Sequence, residues 1–159
     1  MPHLGDAKEW NMLHEQLKEA LQKEVHIMRE LLANMHQEEL SLLLNDQGSL
    51  NELLEQRSRI IERLSTLRLC RIAATEKIEK IISKENTPTT ERILPPEEDT
   101  STEILSLRDQ LMALTEQMNR QQSQNQYLTE HPDHTRIAPR ESPQRAKRKA
   151  SVATYQIKK

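Results

Sequence analysis

Between residues 50 and 81 apolar side chains return at alternating intervals of three and four. The series is Leu50, Leu53, Ile60, Leu64, Leu67, Ala74, Ile78 and Ile81, with Arg57 and Arg71 filling two positions of the same heptad phase. That spacing holds one narrow face toward a partner, as in a coiled-coil seam, and predicts a helix over about 50–83. An earlier segment, about 7–45, carries a similar series: His14, Leu17, Leu21, Glu24, Met28, Leu31, Met35, Glu38 and Leu42. A third, about 101–130, has Ile104, Leu107, Leu111, Leu114 and Met118. Its phase then runs on through Gln121 or Gln122, Asn125 and Leu128, inside "NRQQSQNQYL", where helix-forming residues continue and the apolar stripe fades.

Punctuation between the segments agrees with three helices. Each begins with a small polar residue and a Glu three positions later, Asp6…Glu9, Ser49…Glu52 and Thr100…Glu103, the pattern of a capping box. "NDQGS" supplies residues that favour a tight connection after the first helix. Pro88, Pro95 and Pro96 cannot sit in a helix interior, so they end the second, and Pro132 closes the third.

The first two seams match when the chain folds back at "NDQGS". In an antiparallel pair, facing residues share a constant number sum, and both Glu38 with Arg57 and Glu24 with Arg71 give 95. The same sum pairs Leu42 with Leu53, Met35 with Ile60, Leu31 with Leu64, Met28 with Leu67 and Leu17 with Ile78. A charge facing an apolar partner would lose hydration without gaining a counter-ion. Two ion pairs are therefore expected to fix the register of a hairpin on the order of 50 Å long, at ~1.5 Å per residue. The third helix can pack on this hairpin or stand apart from it.

The expected organisation is all-α: a long antiparallel coiled-coil hairpin over 1–83, a proline-containing linker over 84–100, a third helix over 101–131, and a disordered basic tail over 132–159. Composition supports it. Aromatics make up 2% with no Phe, so a broad globular core is excluded, and two glycines leave no Gly-rich phosphate loop. The net charge of −2 conceals an asymmetry, since residues after His134 carry +7 and leave −9 for the remainder. The tail either solubilises or binds an acidic surface, and the acidic body argues against nucleic acid. One cysteine, Cys70, fits a reducing cytosol and reads as a small packing residue beside the second seam. No apolar leader or membrane-length run is present in the sequence, which is read as soluble and cytoplasmic.

Catalytic chemistry finds no foothold. Glu24 and Glu38 lie two heptads apart, ~21 Å along a helix, too far for an acid–base pair. The "HPDH" stretch, His131 to His134, reads as a solvated loop rather than a metal site. No enzyme activity, cofactor, metal or small-molecule substrate is expected. Met112 and Met118, with Leu111, Leu114 and Leu128, either fill the interior or line a groove for a partner's amphipathic helix.

Two stretches carry a family resemblance. "LLLNDQGSLNELLEQRSRIIERL" and "LRDQLMALTEQMNRQQSQNQYL" resemble the flagellar export chaperones of the FlgN type, the first in its leucines around a short Asp-containing turn and the second in asparagines preceding a closing Leu. The linker and the basic tail depart from that pattern. The resemblance implies a cytosolic type III secretion chaperone that holds the helical termini of hook-associated proteins and delivers them to an export apparatus component. It places the partner-binding face at Leu111, Leu114, Met118, Asn119, Gln122, Asn125 and Leu128. It also implies an aromatic residue at the export gate, for which Tyr127 and Tyr155 both remain open. The competing expectation is a structural coiled-coil scaffold or adaptor that oligomerises, as a homodimer for example, through its seams.

Overall fold

A computed structural model describes residues 4–85 and 98–134 of the chain. Among these it contains three helices, α1 (Leu4–Leu43), α2 (Gln47–Glu85) and α3 (Glu98–Glu130), then a single 3₁₀ turn, Pro132–His134, and no strand. Most of the 84–100 linker and all of the basic tail beyond His134, Tyr155 included, lie outside the described residues.

The turn between α1 and α2 is set by side-chain chemistry. Asn45 adopts the left-handed conformation, φ 53°, which Asn tolerates better than most residues. Its amide donates to the Leu42 carbonyl at 3.2 Å, and the Asp46 amide to the Ser41 carbonyl at 2.9 Å, the two bonds of a Schellman C-cap. Asp46 then caps α2: the Ser49 amide donates to its Oδ1 at 3.1 Å and the Ser49 hydroxyl to its Oδ2 at 2.6 Å. The expected box from Ser49 to Glu52 is thus displaced. A carboxylate three residues earlier is a stronger acceptor for the free amides, and Ser49 becomes its donor. The third helix is likewise longer than expected, since α3 begins at Glu98 and Thr100 lies inside it.

α2 runs antiparallel to α1, and α3 parallel to it. Both pack on α1 rather than on each other. Near the open end of the hairpin, Trp10, Leu13, Leu17 and Leu21 of α1 meet Ala74 and Ile78 of α2 and Ile104 of α3. Toward the turn, Val25, Met28, Leu31 and Met35 meet Ile60 and Leu64 of α2 and Leu114 of α3. Each Val, Leu, Ile or Met among them contributes about 1.5–3 kcal/mol on leaving water, which offsets the entropy of ordering so slender a fold. Glu24 lies at the boundary between these clusters. Its carboxylate accepts from Arg71 Nε at 2.6 Å and from Arg68 Nε at 3.2 Å. The seam therefore carries its charge where two guanidinium groups can reach it from the more exposed side.

Cys70 corrects its sequence reading: it is exposed on the outer side of α2 and packs in no core. Among the described residues, no helix is long and apolar enough to cross a membrane.

Candidate functional site: a polar layer and an open groove at the turn end

Three turns from the hairpin tip, the apolar seams give way to a connected polar layer. The Arg57 guanidinium donates through Nη2 to Glu38 and through Nε to Asn34 Oδ1 at 2.9 Å. Asn34 in turn donates through Nδ2 to the Leu53 carbonyl at 2.9 Å. From α3, Asn125 Nδ2 donates to Glu38 Oε2 at 2.7 Å and to the Met35 carbonyl at 2.9 Å. Gln121 Nε2 donates to Glu39 Oε2 at 2.7 Å and to Asn125 Oδ1 at 2.9 Å. Asn34, Gln121 and Asn125 are all buried, so each amide is expensive to leave unpaired, and each has partners. Two carboxylates on α1 thus receive one guanidinium from α2 and two amides from α3.

At its opposite end α3 is tied to α1 through exposed charges. Thr100 Oγ1 donates to Glu15 at 3.0 Å, and Lys18 Nζ lies 2.8 Å from Glu15 and 3.1 Å from Glu103. Lys18 and Thr100 hold the Glu15 carboxyl below its ordinary range, while Glu15, then Glu103, push the Lys18 ammonium up.

Beside the polar layer an open groove of about 510 Å³ runs between α2 and α3. Leu31, Met35 and Glu38 of α1 form its floor, Arg57 and Ile61 of α2 one wall, and Met118, Gln122, Asn125 and Gln126 of α3 the other. A second hollow, about 570 Å³, lies between α1 and α2, but its cations Lys23 and Arg63 already pair with Glu19 and Glu30. Among the described residues no group of His, Cys, Asp or Glu could hold a metal ion.

The seven α3 residues expected to form a partner-binding face are divided by this packing. Leu114, Asn125 and Leu128 turn inward and are buried, Leu111 and Met118 are half-buried, and Asn119 and Gln122 are exposed. Met112 is exposed, away from the α1 contact. Tyr127 is half-exposed and stacks on His131, ring centroids 4.4 Å apart. Glu24 with Arg71 and Glu38 with Arg57 are brought together as the number-sum rule placed them.

Sequence reasoning passed over Asn34, Glu39 and Ile61, which flank the seam. Asn34 lies outside the 3-4 series of α1 and bonds to Arg57 and the Leu53 carbonyl, so the pairing rule, applied to seam positions alone, gave no sign of it. Gln121, rather than Gln122, occupies the inward position.

A family model described as FlgN protein matches residues 12–132. That span runs from the first turns of α1 to the end of α3, and so includes both the polar layer and the groove. No curated protein and no solved structure matches the chain.

Proposed function

The chain belongs to the FlgN family, whose members serve as flagellar export chaperones, and from that premise we propose that it binds the amphipathic helical termini of hook-associated proteins. In the cytosol it keeps them soluble and hands them to the export apparatus. Terminal helices of that kind aggregate when their apolar faces stay exposed, and a chaperone must cover them reversibly. The observation that carries this reading is the groove beside α3. It combines an apolar floor and wall (Leu31, Met35, Ile61, Met118) with an amide-rich rim at Gln122 and Gln126. An amphipathic helix laid there would bury its stripe while its polar flanks met side chains able both to donate and to accept.

The partner-binding face on α3 is Leu111, Leu114, Met118, Asn119, Gln122, Asn125 and Leu128. Met118 and Gln122 line the groove, Asn119 is exposed one residue beyond Met118, and these three make first contact. Of the two tyrosines open for the export gate, Tyr127 is half-exposed near the end of α3, and Tyr155 lies outside the described residues.

The test is a double substitution at open positions, Asn119→Lys with Gln122→Lys, which leaves the buried seam intact. Binding is followed by fluorescence anisotropy with a labelled peptide from the C-terminal helical segment of a flagellar hook-associated protein. Binding should weaken at least tenfold with an unchanged thermal melt. Equal affinity for both proteins would exclude this face. A self-associating scaffold is the second reading, and one observation favours it: Leu54, Ile61, Ile72 and Ile82 are large, exposed and on one side of α2. A mass that doubles with concentration and is reset by Ile61→Lys would support it.

A further inference from the structure

The two halves of α3 are held on α1 by different chemistry. Ile104, Leu107, Leu111 and Leu114 join the apolar clusters. Beyond Met118 the inward residues are Gln121, Asn125 and Leu128, so two of three seam positions rely on hydrogen bonds. Those bonds are exchanged for bonds to water when the contact opens, whereas an apolar side chain lifted from the seam gains no such replacement. The last three turns of α3 are consequently its most readily lifted part.

What lies beneath them is a receptor with defined demands. The Met35 carbonyl, Glu38 and Glu39 form a row of acceptors along α1, and Leu31 and Met35 supply the apolar floor. α3 meets those demands with Gln121, Asn125 and Leu128, spaced four and then three residues apart. Because the groove already opens onto Glu38 and Asn125, a second helix can approach the same row from the side.

We propose that the last three turns of α3 are a removable placeholder on α1, and that the helix which replaces them carries amide side chains in its own seam, followed by an aliphatic residue, in the Gln-x-x-x-Asn-x-x-Leu manner of α3. This rests on the reading of α3 as the partner-binding helix and specifies the partner's chemistry. An all-aliphatic helix fits less well, because it would cover Glu39 without the Gln121 amide and leave Glu38 to Arg57 alone. Lifting α3 also turns Asn125 and Leu128 outward, completing the face that Asn119 and Gln122 begin.

The experiment opens the placeholder by one atom. Asn125→Asp keeps the shape of the side chain but sets a carboxylate against Glu38 in place of two donated hydrogen bonds. In hydrogen exchange of the full chain, amides of 119–130 should exchange at least tenfold faster than in the wild type, while those of 104–114 stay protected. A labelled peptide of the chain's own residues 114–131 is the binding probe. It should bind the Asn125→Asp protein at least tenfold more tightly than the wild type, because a vacated site no longer has to be cleared. The same peptide carrying Asn125→Asp should lose that gain. Gln121→Glu, which opposes Glu39 nearer the surface, repeats the test if Asn125→Asp unfolds the 104–114 region as well.

Unchanged exchange over 119–130 in both variants, or equal peptide binding by open and wild-type proteins, overturns the placeholder. These readouts use no hook-associated protein. Failure to bind that client while α3 opens as described would instead count against the proposed function alone.

Discussion

Removing Arg71 should destabilise the bundle more than removing the carboxylate it serves. Glu24 is 2% exposed and sits between the two apolar clusters, whereas the side chains of Arg71 and Arg68 are 32% and 47% exposed. Arg71→Leu strips Glu24 of the bonds from Arg71 Nε at 2.6 Å and Nη2 at 3.4 Å, leaving only Arg68 Nε at 3.2 Å. Losing a charge-assisted bond of this kind costs about 1.5–3 kcal/mol, and breaking a fully buried pair about 3–5. With Arg68 still in place, the lower range applies, and the expected loss is about 2 kcal/mol. Glu24→Leu behaves differently. Both guanidinium groups reach water by rotating outward, the new Leu joins apolar neighbours, and stability should stay within about 1 kcal/mol of the wild type. The double variant should match or exceed the wild type, giving a coupling of about 2 kcal/mol in the cycle. Urea unfolding followed by far-ultraviolet circular dichroism measures all four proteins, with equal m-values as the condition for comparison. Should Glu24→Leu be the more damaging single substitution, or the coupling fall below about 0.5 kcal/mol, burial asymmetry does not govern this pair.

The other perturbations test the turn and the core. The Ser49 hydroxyl and amide hold the Asp46 carboxyl below its ordinary value of 3.8, so the folded state binds that proton less readily than the unfolded chain. Its contribution is present in full above that value and is lost as pH falls through the lower folded value. Asp46→Asn keeps the cap's acceptor but should show less loss of stability than the wild type across that acidic window, in urea melts run at stepped pH. Leu21 is 2% exposed within the cluster of Trp10, Leu17 and Ile78, and Leu21→Ala should cost about 2–5 kcal/mol by the same melts. A cost under about 1 kcal/mol would mean that the cluster collapses around the vacancy.

The hairpin was legible because its information is one-dimensional. A 3-4 alternation identifies the seam, and two Glu–Arg matches at one number sum fix the register without any knowledge of three-dimensional shape. Caps were less legible, since Asp6, Ser49 and Thr100 are all competent residues and only local competition shows that Asp46 wins at the turn. The end of α3 was hardest. Gln121 and Asn125 look like a stripe that has failed, and nothing near them in sequence reveals that Glu38 and Glu39 wait some eighty residues away. Apolar pairing announces itself through periodicity, but a polar layer needs both sides before either makes sense. The family resemblance supplied what periodicity could not, a reason to treat that stretch as a binding helix, and the matched span of 12–132 includes it.

The order of the helices has a consequence in time. α2 contacts α1 through a short turn, so the hairpin can close early, whereas α3 reaches α1 only after residues 86–130 have been made. At about 5–20 residues per second, that synthesis takes roughly 2–9 s. During that interval the newborn hairpin leaves open the sides of Leu31, Met35, Glu38 and Glu39 that α3 covers in the finished fold. Crosslinking of ribosome-stalled chains, halted before and after α3 emerges, would register what occupies the row in those seconds. If α3 is the placeholder we propose, a helix captured then would meet a vacant seat, and the same helix arriving later would have to unseat α3.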